Sequence, residues 1–358
     1  MALKKYVRTN KGEIIETQII PPNHGQDIKT TLDAKLQYLV YQELKKAFDY
    51  YKASSASAIL VDLKSKDILA MANYPSFNPN DRRGMNPNLL ANRSATDLFE
   101  PGSTVKPLAL AGLLQEDVIY KDTIVKTSPG YIEYEGFLTS DFKDYGTLNL
   151  SDVISKSSNV AMVKLCDKSN SEEIIKNFYK WGFGKYINEI FISNREGYLP
   201  SSADLSAREK VSLCYGYGLQ VTLIQLVGAY TALFSNGQFQ GLNLISGSYN
   251  MNENEIISSE IAEEIKIMLS EAVNNGTGRN ALVKNTRIIG KTGTTKRLTN
   301  QGYNEESFNA SFIGMAELDD NDYVLGILVR DAKENGEGGG QVAAPIFSKI
   351  IKSIQNTL

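Results

Sequence analysis

Apolar residues recur at helical spacing from Leu36 through Leu39, Val40, Leu44 and Ala47 to Phe48, and predict an amphipathic helix with one buried face. Asp33 stands where its N-cap belongs. The period then shortens. Residues 58–63 and 68–72 are apolar runs around a polar turn and read as two strands of a hairpin. Residues 73–93, rich in Asn, Pro and Arg, form a long loop, the kind that in a compact domain often carries function. The loop leads to Pro101-Gly102 and then to an apolar run, Leu108, Ala109, Leu110, Ala111, Leu113 and Leu114. This pattern predicts a buried helix whose first turn starts at or just before Ser103. Pro107 fits only close to such a start, because deeper in a helix it would break the ladder.

From Gly112 to about Gln240 the pattern is mostly helical, with the clearest spacing over residues 153–164 and 223–234. Trp181-Gly182-Phe183-Gly184 reads as a turn, and Tyr215-Gly216-Tyr217-Gly218 as backbone close to packing or to a cleft. An amphipathic helix over 261–273 ends in Asn274-Asn275-Gly276-Thr277-Gly278. Residues 287–294, 310–315 and 323–329 then read as strands. Gly336-Glu337-Gly338-Gly339-Gly340 reads as a flexible loop, and 341–354 as a closing helix with Val342, Pro345, Ile346, Ile350 and Ile351 on its apolar side. At the other end, residues 1–24 are polar, turn at Asn10-Lys11-Gly12, and read as a linker or the remnant of a preceding module; 28–32 reads as a short strand. Neighbouring strands on short turns favour antiparallel pairing. The predicted class is α+β: an antiparallel sheet of about five strands, built from both chain ends and flanked by helices, with the middle helices as a second lobe and a cleft between.

The chain has 358 residues, 38 Lys and Arg against 41 Asp and Glu, two cysteines and one histidine. The slightly negative charge gives no support for nucleic-acid binding. No run of about eighteen apolar residues is present to span a membrane, and no secretory h-region opens the chain. Cys166 and Cys214 have no Cys or His neighbour in sequence, which argues against zinc, and they read as two buried thiols; sequence alone does not argue a disulfide. The single His24, in a turn-rich lead-in, is the only residue that could complete a Ser-His-Asp triad. Unless this loop histidine supplies the triad, a serine enzyme built from this chain is expected to use a lysine as base.

The stretch around Ser103 supplies one. Ser103 and Lys106 lie one turn apart on the same side of the predicted helix, a nucleophile beside a base. S-x-x-K is common by chance, and a serine before a helix is usually just an N-cap. Two further elements are of matching type. Ser157-Ser158-Asn159 stands before an apolar helix, and Lys291-Thr292-Gly293-Thr294 lies on a predicted strand. Each alone reads as a helix-start signal or a solvated edge strand; their order and spacing strengthen one another.

With these residues the sequence resembles the transpeptidase domain of class B penicillin-binding proteins, of the cell-division type, the group of penicillin-binding protein 3. The matching stretches are Asn92-Arg93, Phe99-Glu100-Pro101-Gly102-Ser103-Thr104-Val105-Lys106-Pro107, Lys156-Ser157-Ser158-Asn159-Val160, Tyr215-Gly216-Tyr217-Gly218-Leu219, Gly290-Lys291-Thr292-Gly293-Thr294 and Ala343-Ala344-Pro345-Ile346-Phe347. They place the domain over 25–358. The resemblance implies a septal peptidoglycan D,D-transpeptidase acting through a Ser103 acyl-enzyme, with Lys106 as base, Ser157 as proton relay, and Asn159 holding Lys106 and the substrate amide. It implies that Lys291, Thr292 and Thr294 take the terminal carboxylate of a stem peptide ending in D-Ala-D-Ala, that Gly293 lets the substrate lie against the strand, and that the backbone N–H groups of Ser103 and Thr294 form the oxyanion hole. It implies no cofactor and no metal, acylation by β-lactam antibiotics, and a membrane glycan polymerase and other division proteins as partners through N-terminal parts not in this chain. By the same resemblance the enzyme sits on the periplasmic or extracellular face of the cytoplasmic membrane, anchored by a helix outside this sequence. A serine β-lactamase, a D,D-carboxypeptidase and a non-catalytic β-lactam-sensing or wall-binding domain are the alternatives. The first shares the acylation chemistry, but class A enzymes carry Asp where Ser158 stands.

Overall fold

The computed structural model describes residues 3–21, 25–81, 83, 86–186, 194–247, 254–299, 302–318 and 321–357. His24 lies outside them. The chain divides into two units, Met1–Thr30 and Thr31–Leu358. In the first, the stretch read as a linker contains a hairpin: β1 (Leu3–Arg8) pairs antiparallel with β2 (Ile14–Ile20) across the predicted turn. The short strand expected over 28–32 does not form. The Thr31 N–H donates to Leu244 O at 2.9 Å and its hydroxyl to Ile68 O at 2.7 Å, so the backbone is held by loop and strand-end carbonyls and joins no ladder.

The second unit opens with α1 (Ala34–Tyr51), capped by the Asp33 carboxylate, which accepts from the N–H groups of Lys35 and Leu36 at 2.9 and 2.8 Å. The hairpin β3 (Ser55–Asp62) and β4 (Ile68–Tyr74) follows, then the loop and the short α2 (Arg93–Thr96). A 3₁₀ turn over Gly102–Val105 runs directly into α3 (Lys106–Gln115), with Pro107 in its first turn. The middle, expected to be mostly helical, also holds two small ladders: β5 (Ile124–Lys126) pairs with β8 (Thr147–Asn149) and encloses the hairpin of β6 (Tyr131–Tyr134) and β7 (Phe137–Ser140). These strands are three or four residues long and mostly exposed, so they carry little of the apolar periodicity that reveals a core strand.

The predicted helix over 153–164 is two helices, α4 (Leu150–Ser155) and α5 (Asn159–Cys166), broken at Ser157. The lobe continues through α6 (Ser171–Lys180), α7 (Ala207–Leu213) and the wholly buried α8 (Leu223–Phe234). A two-residue pair, β9 (Gln238–Phe239) with β10 (Asn254–Glu255), precedes α9 (Ser259–Asn274). The C-terminal strands are β11 (Arg287–Thr299), β12 (Gly302–Leu318) and β13 (Asn321–Arg330). The expected flexible glycine loop contains a short helix, α10 (Gly338–Gln341), with Gly338 and Gly339 buried, before the closing α11 (Ala343–Gln355).

Both chain ends build one five-stranded antiparallel sheet in the order β11-β12-β13-β3-β4. One face is covered by α1 and α11, whose Leu44, Val40, Phe347 and Ile350 pack with Leu60 and Leu325. The other face packs on α8 and the helical lobe, where Trp181, Phe178 and Tyr230 are fully buried. The sheet was expected, and so was its assembly from both termini.

Cys166 and Cys214 are not the two thiols expected but a disulfide, joining the end of α5 to the residue after α7. Both are buried in the lobe, and the bridge spans 48 residues. Closing a loop of that length removes about 4 kcal/mol of chain entropy from the unfolded state. The double variant Cys166→Ala with Cys214→Ala is expected to melt roughly 6 °C lower, given the unfolding entropy of a domain this size. Thermal melts of wild type with and without reductant check it. An unchanged midpoint in both would show that the bridge contributes nothing.

Candidate active site

The nucleophile candidate is set by two backbone collisions avoided. Gly102 has φ +57, and a Cβ there would lie 2.5 Å from Thr295 Cγ2; Gly216 has φ +89, and its Cβ would lie 2.1 Å from Gly102 O. Only glycine lets these turns touch. The Gly102 N–H donates to Gly216 O at 3.1 Å, which is the close packing expected of the Tyr-Gly-Tyr-Gly stretch. Ser103 thus starts a helix with its own N–H unused by the helical ladder. Its side chain lines a cleft of about 490 Å³ shared with Ser157, Thr277, Thr292, Thr294 and Phe142. Among the described residues its hydroxyl makes no hydrogen bond.

Beneath that cleft lie two fully buried lysines, Lys106 on α3 and Lys291 on β11. The Lys106 ammonium nitrogen is 2.6 Å from Ser157 O, 2.7 Å from Asn159 Oδ1 and 3.2 Å from Ser157 Oγ. Lys291 Nζ is also 3.2 Å from Ser157 Oγ and 3.4 Å from Thr277 Oγ1. One hydroxyl therefore bridges both amines. It does so because Ser157 adopts φ +59, a left-handed conformation rare for a residue with a Cβ, between the last turn of α4 and the first of α5. Burial pushes the Lys106 amine well below the ordinary lysine range; Lys291 adds to this and Asp141 opposes it. Burial brings Lys291 down to about 7. Both amines are thus held below the ordinary lysine range.

Sequence reading missed the group that holds Ser158 and Asn159. Asp141, just after β7, accepts the Asn159 and Val160 N–H groups on Oδ1 at 2.6 and 3.0 Å and the Ser158 hydroxyl on Oδ2 at 2.6 Å. It is a carboxylate cap on α5, favoured there by the helix dipole. No local signal marks it, because it comes from a small ladder outside the helices. Thr277 was also missed; its hydroxyl pairs with that of Thr292 at 2.8 Å. The Thr294 hydroxyl accepts the Gly339 N–H at 2.9 Å, which anchors α10 to β11.

Of the predicted site residues, Ser103, Ser157, Thr292 and Thr294 line the cleft, and Lys106, Asn159 and Lys291 are joined beneath or beside it through Ser157 and Asn159. Gly293 faces elsewhere. A Cβ on it would meet Ser311 Oγ at 2.4 Å and Pro101 O at 2.8 Å, on the side away from the Thr292 and Thr294 side chains. The room it leaves is filled by the turn that carries Ser103. β11 is an edge strand of the sheet, so one row of its backbone groups has no strand partner. Among the described residues no cluster of three or more His, Cys, Asp or Glu could hold a metal ion.

Comparison with known proteins agrees with this geometry. Residues 56–352 match the penicillin binding protein transpeptidase domain. The chain is 33% identical over 335 residues to the peptidoglycan D,D-transpeptidase FtsI of Escherichia coli, covering 93% of this chain and 57% of that protein. It is 30% identical to a probable peptidoglycan D,D-transpeptidase PenA of Neisseria flavescens, over 99% of this chain and 90% of that one. The chain thus spans about three fifths of the length of the FtsI relatives it matches. Among solved structures, the transpeptidase domain of penicillin-binding protein 3 from Burkholderia pseudomallei superposes with a TM-score of 0.83 at 30% identity, covering 94% of this chain and 98% of that one. Fold, motif set and relatives converge, and the chain belongs to the penicillin-binding protein transpeptidase domain family.

Proposed function

We propose that this chain is the catalytic part of a peptidoglycan D,D-transpeptidase of the division septum, working through a Ser103 acyl-enzyme. The single observation that carries the reading is the buried pair Lys106 and Lys291, 3.2 Å on either side of the Ser157 hydroxyl, under a cleft that Ser103 lines. A stem peptide ending in D-Ala-D-Ala enters along β11. Its carboxylate meets the Lys291 charge and the Thr292 and Thr294 hydroxyls. Ser103 Oγ attacks the carbonyl carbon of the penultimate D-Ala while its proton passes to neutral Lys106. The Ser103 and Thr294 N–H groups hold the oxyanion. The C–N bond then breaks, the leaving D-Ala amine takes a proton by way of Ser157, and Ser103 is left as an ester. An amine from a neighbouring stem peptide attacks the ester and returns the proton to Ser103. Residues 1–24 are a linker or the remnant of an N-terminal pedestal in this reading. The buried disulfide supports an oxidising location outside the cytoplasm.

The test is mass spectrometry of the chain with a D-Ala-D-Ala peptide and an amine acceptor. Release of D-Ala with capture of the amine supports transpeptidation. Release with water alone as acceptor makes the protein a carboxypeptidase.

The reaction with carboxylate-bearing ligands has a defined alkaline limb. Lys291, at about 7, is charged below that pH and increasingly neutral above it. A charged Lys291 attracts the carboxylate, so the second-order acylation rate constant falls as pH rises through about 7. A stopped-flow pH profile checks this, and a rate constant still climbing between pH 7 and 9 would remove Lys291 from carboxylate binding.

A further inference from the structure

Three buried polar atoms have no hydrogen-bond partner among the described residues: Glu100 Oε2, Asn309 Oδ1 and Arg330 Nε. All three side chains line one pocket of about 70 Å³, beside the segment that leads into the Ser103 turn. Orphaned buried groups are costly, and three of them on side chains that line one pocket point to an occupant. The pocket is roomy enough to hold water, one molecule of which needs about 10–15 Å³ of such space. The donor set selects water. One molecule can accept from Arg330 Nε–H and donate to both Glu100 Oε2 and Asn309 Oδ1. A bound anion would face the Glu100 carboxylate, and a bound cation would face Lys296, Arg297 and Arg330.

Glu100 is well placed to transmit what happens there. It is 5% exposed. Its Oε1 accepts the Gly218 N–H and the Tyr303 hydroxyl, both at 2.9 Å, and its backbone oxygen accepts the Thr295 hydroxyl at 3.0 Å. Gly218 belongs to the turn whose Gly216 backs onto Gly102, and Thr295 follows Thr294 on β11. Arg330 is fixed from the other side by Leu98 O at 2.6 Å and Asp97 at 3.2 Å.

We propose that this pocket is a built-in water site joining the Glu100 carboxylate to Arg330, and that Glu100 is thereby a positioning residue for Ser103. The positioning half rests on the acyl-transfer reading above; the water site does not.

Two measurements test it. A crystal structure of the wild-type chain at about 1.5 Å or better, fine enough to place buried waters, shows water within hydrogen-bond distance of Glu100 Oε2, Asn309 Oδ1 and Arg330 Nε. A collapsed pocket, a protein partner on Glu100 Oε2, or an anion in the density overturns the site. Glu100→Gln keeps an oxygen for Gly218 and Tyr303 but loses the charge. With benzylpenicillin, its acylation rate constant falls about tenfold, while the dissociation constant of the preceding complex stays within about twofold, since a small displacement of the nucleophile affects the reaction more than binding. An acylation constant equal to wild type overturns the positioning role. A wild-type chain that benzylpenicillin does not acylate overturns it too, by removing the acyl-transfer reading itself.

Discussion

Mixed with benzylpenicillin, the wild-type chain is expected to gain one drug per molecule and hold it for hours, and Ser103→Ala is expected to gain none. The drug's strained amide presents a carbonyl to Ser103 and a carboxylate to Lys291. Ring opening forms an ester that water reaches slowly unless a base activates it. Alanine removes the hydroxyl that forms that ester in the proposed reaction. The variant is also unusually clean, because the Ser103 hydroxyl makes no hydrogen bond among the described residues, so its loss leaves no buried group unpaired. Its melting temperature should stay within about 2 °C of wild type, as for substitutions that break no partner. Intact mass over time reads the result. Persistence in wild type with absence in the variant establishes Ser103 as the nucleophile. An adduct on the variant would place the nucleophile elsewhere. Fast loss of the adduct with drug hydrolysis would make the enzyme a β-lactamase.

The second large effect is that of Lys106→Ala, which is expected to slow acylation about a thousandfold, within the range that a positioned general base supplies. The argument is electrostatic. A lysine in water is charged at neutral pH and accepts no proton. Here full burial and the neighbouring Lys291 favour the neutral amine, which is the form that can take the serine's proton. Removing it also strands two acceptors, Asn159 Oδ1 and Ser157 O, at 2.7 and 2.6 Å from the lost nitrogen. That costs about 1–3 kcal/mol for each acceptor left dry. Rate and stability therefore fall together, and they must be separated. Acylation kinetics well below the melting range, with the folded fraction checked by near-ultraviolet circular dichroism, do so. A folded Lys106→Ala within tenfold of wild type would exclude the lysine as base.

Much of the architecture was legible in the periodicity. The stripe from Leu36 to Ala47 made α1, and the run after Ser103 made α3. The apolar strands at both ends made one sheet. These elements are long, and burial repeats along them with the period of the element, so local sequence carries the signal. The three motifs were legible too, because S-x-x-K, S-x-N and K-T-G are each only three or four consecutive residues.

What lies between elements was not legible. That the turn at Ser157 sets its hydroxyl between two lysines separated by 185 positions in sequence, Lys106 and Lys291, could not be read from spacing. Asp141 caps α5 from a ladder too short and exposed to show a pattern. The cysteines pair only because α5 and α7 lie side by side. That Gly293 admits the turn carrying Ser103 likewise depends on packing from elsewhere in the chain. Local spacing sufficed for the long helices, for the strands of the main sheet and for the residue types that could do acyl transfer. The tertiary structure alone decided which groups share a proton, which charges lose their water and which side of a strand faces the cleft, because desolvation and close approach depend on neighbours distant in the chain.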